Sequence, residues 1–293
     1  MNISRLLSVA PMMERTDRHC RFFFRLLSQQ TLLYSEMINA NAITKGNKTR
    51  LLNFSEIEHP LALQIGGSDP KLLAEATKIG VDWGYDEINL NVGCPSSRVS
   101  SGDFGAVLMK RKDHVAKCVD AMAQFSSNVP ISVKCRIAVD DQDPEEILPS
   151  FIKTVSNSGV SIFIIHARKA ILSGLSPKDN RKIPPIDYNL VKKIKAQFPK
   201  LEICLNGEIK DLSTVMNFIN DGINGCMIGR EVYKNPSKIL ENADEKIFKK
   251  MDLSGKSKNR RLYEALLKMI PYLESHLQKG GKASSVLKHL INS

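Results

Sequence analysis

Short runs of apolar, largely β-branched residues recur at regular intervals up to about residue 230. Each run is apolar almost throughout instead of alternating, which is typical of parallel strands covered on both faces. Eight runs have the length of a strand, and they are 5–11 (RLLSVAP), 32–38 (LLYSEMI), 61–66 (LALQIG), 88–93 (INLNVG), 131–136 (ISVKCR), 162–167 (IFIIHA), 202–207 (EICLNG) and 225–230 (GCMIGR).

Segments with helical signals separate these runs. In SDPKLLAEATKIG, Asp69 is the predicted N-cap, Pro70 the first helical residue and Gly80 the predicted stop. Two later helices are predicted to stop at Gly159 and Gly222. Eight strand–helix units in roughly 235 residues predict an α/β fold, a (β/α)8 TIM barrel. An open doubly wound sheet is the alternative, but the chain has neither an early G-x-G-x-x-G nor a Walker A loop.

The strand signals stop near residue 240. Segments 260–280 (RRLYEALLKMIPYLESHLQKG) and 283–292 (ASSVLKHLIN) have the apolar periodicity of amphipathic helices. We therefore predict two domains, a barrel over 1–240 and a small all-helical domain over 241–293.

Charge sets the second predicted domain apart. The chain of 293 residues has a net charge of +11, and 12 Lys and Arg face only 6 Asp and Glu between Lys238 and Ser293. A basic appendage of this kind predicts a polyanionic partner, nucleic acid in particular. The alternative is a solvated, lysine-rich helical tail with no partner.

Composition and targeting signals narrow the class of protein. No run approaches the roughly 18 apolar residues of a membrane helix, and the N-terminus lacks the pattern of a signal peptide. The six cysteines form no C-x-x-C pair, so the sequence supports neither zinc nor an iron–sulfur cluster, and free thiols are expected. We expect a cytoplasmic, monomeric protein without a structural metal or a membrane partner.

Polar residues follow the predicted strands at the end where barrel enzymes carry their chemistry. They include Gln64, Asn91, Lys134, His166 and Asn206. Each alone has a structural explanation, such as a solvated strand end or a hydrogen-bonded core histidine. Their joint placement, one per strand at the same end, favours a site.

Three further segments add chemistry to that end. Cys94 ends the fourth strand and precedes a loop rich in glycine and serine, although a small core cysteine is the alternative. NGEI after the seventh strand and IGR after the eighth supply glycines and backbone N–H groups where barrels commonly bind phosphate. Arg230 adds a charge that can bind phosphate with two hydrogen bonds.

Several blocks in order resemble one family. APMMERTDRHCRFFFRLL, LNVGCPSSRVSSGDFGAVLM, VKCRIAVDDQD, HARKAILSGLSPKDNRKIPPIDY, NGEI and IGREVYKNP are similar to the tRNA-dihydrouridine synthases, most of all to their A subfamily. The resemblance covers roughly residues 5–240, and the C-terminal segment matches only loosely.

The resemblance implies an FMN-dependent barrel that reduces uridines 20 and 20a of the tRNA D-loop with NADPH. It makes Cys94 the catalytic acid and implies tRNA contacts at Asn91, Lys178 and Arg181. The implied FMN contacts are Pro11, Met13, Gln64, Lys134, His166, Asn206, Gly207, Glu208, Gly229 and Arg230.

The chain departs from the family pattern at a few positions. Cys135 replaces a usual histidine, and little effect is expected because its side chain points away from that of Lys134 on the strand. Ser284 and Leu287 stand where the family tends to have arginine, which affects the expected tRNA docking. Glu208 replaces a usual glycine, and its carboxylate would repel a phosphate unless only its backbone N–H faces the ligand.

The proposed reaction adds a hydride at C6 and a proton at C5 of uracil, and a thiol, with an ordinary pKa of about 8.5, is a suitable acid. Two other functions stay open at this point. One is a flavin barrel that acts on a small pyrimidine, and the other is an RNA-binding barrel without catalysis.

Overall fold

A computed structural model describes residues 3–96, 99, 102–249 and 258–290. Its centre is a sheet of eight parallel strands in the order β1-β8-β7-β6-β5-β4-β3-β2. The strands are β1 Leu7–Val9, β2 Leu33–Asn39, β3 Leu61–Gly66, β4 Glu87–Val92, β5 Ile131–Arg136, β6 Ile162–His166, β7 Glu202–Asn206 and β8 Gly225–Ile228.

Helices cover the outside of the sheet and continue beyond it. Around the barrel lie α1 Arg18–Leu27, α2 Ala40–Lys45, α3 Lys48–Leu52, α4 Pro70–Trp83, α5 Lys112–Ala123, α6 Pro144–Ser156, α7 Tyr188–Gln197 and α8 Leu212–Asn220. After β8 follow α9 Arg230–Lys234, α10 Pro236–Leu240, α11 Ala243–Lys246, α12 Lys258–Gln278 and α13 Ala283–Leu287. None of these helices is long and apolar enough to cross a membrane.

The first and second strands bring the sheet round on itself. Ser8 and Leu32 form a parallel bridge, and the N–H of Val9 donates to the carbonyl oxygen of Leu32 at 2.9 Å. The N–H of Leu32 donates in turn to the carbonyl oxygen of Leu7 at 3.1 Å. The predicted (β/α)8 barrel and the C-terminal helical region are thus confirmed.

The predicted end of α4 at Gly80 is wrong, because this glycine serves close packing against the sheet. Asp69 caps α4 as predicted and accepts from the N–H of Lys71 and Leu72, but the helix continues past Gly80 to Trp83. A Cβ on Gly80 would lie 2.7 Å from Leu63 Cδ2 and 2.8 Å from Ile88 Cδ1. Glycine is therefore needed here for close approach to the sheet, and the left-handed cap is Gly84.

A buried ion pair fills the interior of the barrel. The Arg5 guanidinium donates from Nε to the carboxylate of Glu87 at 2.7 Å and from a second nitrogen to Glu202 at 3.1 Å. Glu87 is fully buried and also accepts from the hydroxyls of Tyr34, at 2.5 Å, and Ser132. A buried carboxylate is tolerated only when its oxygens are satisfied in this way.

The C-terminal helices pack on α1. Tyr272 of α12 stacks on Phe22, with ring centroids 4.0 Å apart, and its hydroxyl lies 2.7 Å from His19 Nδ1. Asp17, the N-cap of α1, binds His289 Nε2 and Lys288 Nζ, each at 2.9 Å. The boundary after residue 240 stays a prediction.

We predict that Glu87→Gln destabilises the protein by up to about 3–5 kcal/mol, because buried Arg5 then loses its fully buried counter-charge and keeps only the partly exposed Glu202. Urea denaturation with linear extrapolation measures the change. Asp82→Asn is the matched control, since it breaks the exposed pair of Lys78 with Asp82 and should cost less than about 0.5 kcal/mol. An equal cost of the two substitutions would contradict the assignment of Glu87 as the anchor of the interior.

Candidate active site

Cys94 lies at the barrel mouth, two residues after β4 ends. It is partly exposed, whereas the other five cysteines are buried. Its carbonyl oxygen accepts from the N–H of Ala106 at 2.9 Å. Gly105 has a φ of +76°, and a Cβ there would lie 2.7 Å from that same carbonyl oxygen. The glycine thus lets the chain approach Cys94 closely, and Cys94 packs against the edge of the core while remaining partly exposed.

Asn91 holds the backbone that carries Cys94. Its side-chain oxygen accepts from the N–H of Gly93 at 3.2 Å and of Cys94 at 3.0 Å. Its side-chain nitrogen donates to Gln64 Oε1 at 2.8 Å. The predicted tRNA contact Asn91 and the predicted FMN contact Gln64 therefore touch each other, and both are buried.

The same hydrogen bonds continue into the barrel. Gln64 Nε2 donates to Asn89 Oδ1 at 2.7 Å, and Asn89 Nδ2 donates to Ser132 Oγ at 2.7 Å. Ser132 donates to the buried carboxylate of Glu87. Every donor in this series points the same way, from the Cys94 backbone to Glu87, and such chains strengthen each member by mutual polarisation.

Lys134 carries its ammonium group into the mouth from β5. Its Nζ donates to Asn206 Oδ1 at 3.1 Å, and Asn206 Nδ2 is fixed by the carbonyl oxygen of Met227 at 2.8 Å. Burial, with the nearby charge of Arg136, lowers the pKa of Lys134 from 10.5 to about 8. The side chain therefore remains cationic at neutral pH.

His166 ends β6 beside Arg136 on one side and Asn206 on the other. Burial, followed by the positive charges of Arg136 and Lys134, lowers the pKa of His166 well below its usual value. Neither ring nitrogen finds a hydrogen-bond partner among the residues that the structure describes. A neutral imidazole with one donor and one acceptor thus faces the mouth.

Arg136 organises two loops at the mouth. It donates to the carbonyl oxygen of Gly93 at 3.2 Å, next to Cys94, and to those of Lys169 and Asn180, each at 3.0 Å. The guanidinium of Arg136 therefore positions the backbone of these two loops. From its residue type alone, Arg136 could equally have been a ligand contact. The loop that they hold carries the predicted tRNA contacts Lys178, which is exposed, and Arg181.

Glu208 does not repel an anion in this site. Its carboxylate binds the guanidinium of Arg168 at 2.8 Å, and Arg168 is buried. Within the described residues, the backbone N–H groups of Glu208 and Gly229 donate to no protein acceptor. Arg168 thus neutralises the Glu208 carboxylate, which had been expected to repel a phosphate. The unpaired backbone N–H groups are suited to binding that phosphate.

Gly207 brings this backbone close to His166. Its φ is +129°, and a Cβ there would lie 2.9 Å from Ile186 Cδ1 and 3.0 Å from His166 Cδ2. The hydroxyl of Tyr188 donates to the Gly207 carbonyl oxygen at 2.7 Å. Only glycine fits this conformation and this space.

The remaining predicted residues also lie at the mouth. Pro11 follows β1, and Met13, two residues on, has 57% of its surface exposed. Arg230, the first residue of α9, donates to the carbonyl oxygen of Arg181 at 3.4 Å. Their contacts with a ligand remain predictions.

Sequence reasoning missed two residues that shape the site. Asn180 is fully buried and bonds both the N–H and the carbonyl oxygen of Ile171, which closes the loop after β6. Tyr188 fixes Gly207 from the next helix. Neither residue stands in a local pattern that would indicate these roles.

Comparison with known proteins establishes the family. A family model described as dihydrouridine synthase (Dus) matches residues 8–293. The chain belongs to the dihydrouridine synthase family.

Two curated relatives in this family match over nearly the whole chain. A protein of Synechocystis sp. named tRNA-dihydrouridine(20/20a) synthase is 48% identical over 286 residues, which are 98% of this chain and 83% of that protein. A protein of Escherichia coli K12 with the same name is 50% identical over 285 residues, 97% of this chain and 80% of that protein.

Solved structures share the barrel at much lower identity. Morphinone reductase superposes with a TM-score of 0.59 at 12% identity, over 82% of this chain and 84% of that one. The old yellow enzyme homologue from Zymomonas mobilis has a TM-score of 0.59 at 12% identity, over 79% and 86% of the two chains. These likenesses establish the fold of this dihydrouridine synthase family member.

The lowered pKa of Lys134 predicts a pH-dependent stability. Between pH 8 and 10.5 the unfolded chain holds the lysine proton and the folded chain has lost it, so folding stability rises with pH in this window. Below pH 8 both states are protonated and the burial cost is fully present. Lys134→Met should therefore be more stable than the wild type at pH 7, by a margin that shrinks toward pH 10.5.

Urea denaturation of the ligand-free proteins at pH 7, 8.5 and 10 measures this margin. Lys153→Met, on an exposed position of α6, is the matched lysine-to-methionine control. A margin for Lys134→Met that stays constant over the three pH values would contradict the perturbed charge of Lys134.

Proposed function

We propose that the protein is an FMN-dependent tRNA-dihydrouridine synthase that reduces uridines 20 and 20a of the tRNA D-loop, with NADPH as reductant. The observation that carries the proposal is the setting of Cys94. It is the one partly exposed cysteine, and it faces a mouth lined by cations in a chain whose relatives, about half identical, are named tRNA-dihydrouridine(20/20a) synthase.

The groups at the mouth fit FMN. A phosphate needs N–H donors and positive charge, and the unpaired N–H groups of Glu208 and Gly229 lie at the strand ends near Arg230. The unpartnered ring nitrogens of His166 supply a further donor. The other proposed FMN contacts are Pro11, Met13, Gln64, Lys134 and Asn206. Bound FMN would supply the hydride for the C5–C6 bond of uracil.

Cys94 is the proposed acid of this reaction. Addition of a hydride at C6 leaves a pair of electrons that is shared between C5 and the O4 oxygen. The Cys94 Sγ–H bond breaks as a C5–H bond forms, which leaves a thiolate that solvent protonates for the next cycle. Asn91 and Arg136 fix the Gly93–Cys94 backbone that carries this thiol, which reduces the conformational freedom that is lost when the thiol meets a base.

Lys134 is the proposed electrostatic partner of the ring system. Its ammonium, directed by Asn206, stays charged below pH 8 and can neutralise negative charge that develops on the bound cofactor. The neutral His166 donates and accepts hydrogen bonds without adding another charge. In this proposal Lys134 stabilises negative charge on the cofactor, and His166 orients the ligand through hydrogen bonds.

The tRNA is proposed to bind across the rim of the barrel. A uridine stacked in the folded RNA cannot reach the mouth, so it must leave the stack. Asn91, Lys178 and Arg181 are the proposed contacts, and the basic helices after residue 240 would add electrostatic affinity. A cytoplasmic location is proposed because tRNA is the substrate, and a monomer remains our expectation.

The direct experiment incubates flavin-loaded protein and NADPH with tRNA from a strain that lacks dihydrouridine. Digestion and mass spectrometry then locate any dihydrouridine, and free uracil and orotate are tested in parallel. Product at positions 20 and 20a supports the proposal. Reduction of the free pyrimidines alone would instead identify a small-molecule reductase, and a folded protein without flavin would favour an RNA-binding barrel.

We predict that Cys94→Ala lowers the single-turnover rate of uridine reduction by 10²- to 10⁴-fold, which is the usual contribution of a general acid. Flavin content and tRNA affinity should stay unchanged, because the backbone of Cys94 makes the structural contacts. Cys118→Ala is the matched control, since this thiol is buried on α5 away from the mouth. Full activity of Cys94→Ala would remove Cys94 from the mechanism.

A further inference from the structure

Arg15 is held at the rim of the barrel with no counter-charge. It follows β1 in a turn in which Arg15 N–H and Thr16 N–H both donate to the Met12 carbonyl oxygen, at 3.1 and 3.0 Å. Its guanidinium lies over the ring of Tyr233, 4.8 Å from the centroid, and the residue is exposed. Among the residues that the structure describes, no carboxylate pairs with it.

The ring of Tyr233, which is the platform under Arg15, is held in place by further hydrogen bonds. The hydroxyl of Tyr233 lies 3.2 Å from His289 Nδ1, and His289 Nε2 lies 2.9 Å from the carboxylate of Asp17. His289 is buried, and Asp17 caps α1. A stacked guanidinium keeps its edge N–H groups free while its plane is held, so less entropy is lost when it binds a ligand.

Two more arginines stand next to this platform. Tyr233 lies three residues after Arg230 on α9, and Arg230 contacts the backbone of Arg181. Burial, with the positive charges of Arg230 and Arg15, lowers the pKa of Arg181. The Nε of Arg181 is buried and has no hydrogen-bond partner. Arg15 and Arg230 are thus close enough to Arg181 to act on its charge, and none of the three arginines forms an ion pair with a carboxylate over the described part of the chain.

We propose that Arg15 binds a backbone phosphate of the tRNA, together with Arg181, while Tyr233 positions it. Like charges that crowd without a counter-ion are stabilised by a polyanion, and an arginine edge can donate two hydrogen bonds to one phosphate. Arg15 is exposed on the outer side of the cluster, where a large ligand can reach it. This inference rests on the proposed function, because it assigns a further contact to the same substrate.

A phosphate could also belong to FMN or to NADPH, and the test separates these sources. Arg15→Gln is compared with Lys200→Gln, which removes one charge from the exposed turn before β7, at the opposite end of the barrel. Three quantities are measured on the flavin-loaded proteins: tRNA affinity from 50 to 300 mM salt, FMN content, and the rate of flavin reduction by NADPH without tRNA.

We expect Arg15→Gln to weaken tRNA binding about 5- to 10-fold at 150 mM salt and to reduce the slope of log Kd against log salt by about one. FMN content, flavin reduction and the Lys200→Gln variant should match the wild type. Tyr233→Leu should weaken tRNA binding by a smaller factor, because Arg15 then keeps its charge but loses its platform.

Unchanged affinity and slope in Arg15→Gln would overturn the inference and leave the proposed function standing. Loss of FMN, or slower reduction by NADPH with normal tRNA binding, would also overturn it, since the phosphate would then belong to the cofactor or the reductant. Failure of the wild-type, flavin-loaded protein to bind tRNA would overturn both the proposed function and this inference.

Discussion

Positive charge held at the barrel mouth without an internal counter-charge is the constraint on which the site depends. Lys134, Arg181 and Arg230 find no carboxylate partner in the described ranges, and Glu208 is already paired with Arg168. Holding such charges together costs stability, as the lowered pKa of Lys134 indicates. A fold that accepts this cost is suited to an anion, and the unpaired N–H groups near Gly207 point the same way.

Hydrogen bonds in the barrel interior fix the position of the Cys94 thiol relative to these charges. A series of side-chain amides connects the backbone of Cys94 to the buried carboxylate of Glu87, which Arg5 neutralises. Arg136 ties the same backbone to the loop after β6. Stability and function are thus linked, because the ion pair in the barrel interior supports the geometry at the mouth.

The sequence predicted the barrel well because each strand is a short and mostly apolar run, which indicates a strand covered on both faces whatever the details of side-chain packing. It failed at Gly80, where the glycine makes room for Leu63 and Ile88 and does not end the helix. Glycine is favoured both at a helix end and at a close contact between a helix and a sheet. Only the three-dimensional structure shows which of the two applies at Gly80.

The location of the site could be predicted from the sequence, but the contacts between its side chains could not. Position along the strands was enough to place Lys134, His166 and Cys94 at one end. It could not show that Gln64 and Asn91 bond to each other, because that contact depends on the register between two neighbouring strands. The role of Asn180 was also beyond prediction, because it closes a loop through bonds to Ile171 that no local pattern announces.

The central claim is that the mouth is built for a phosphorylated cofactor. Titration of flavin-free protein with FMN and with riboflavin, followed by flavin fluorescence, tests it most directly, because the two ligands differ only in the phosphate. Charge-assisted hydrogen bonds contribute about 1.5–3 kcal/mol each, so the account predicts that FMN binds at least about 100-fold more tightly. Equal affinities for FMN and riboflavin would contradict it.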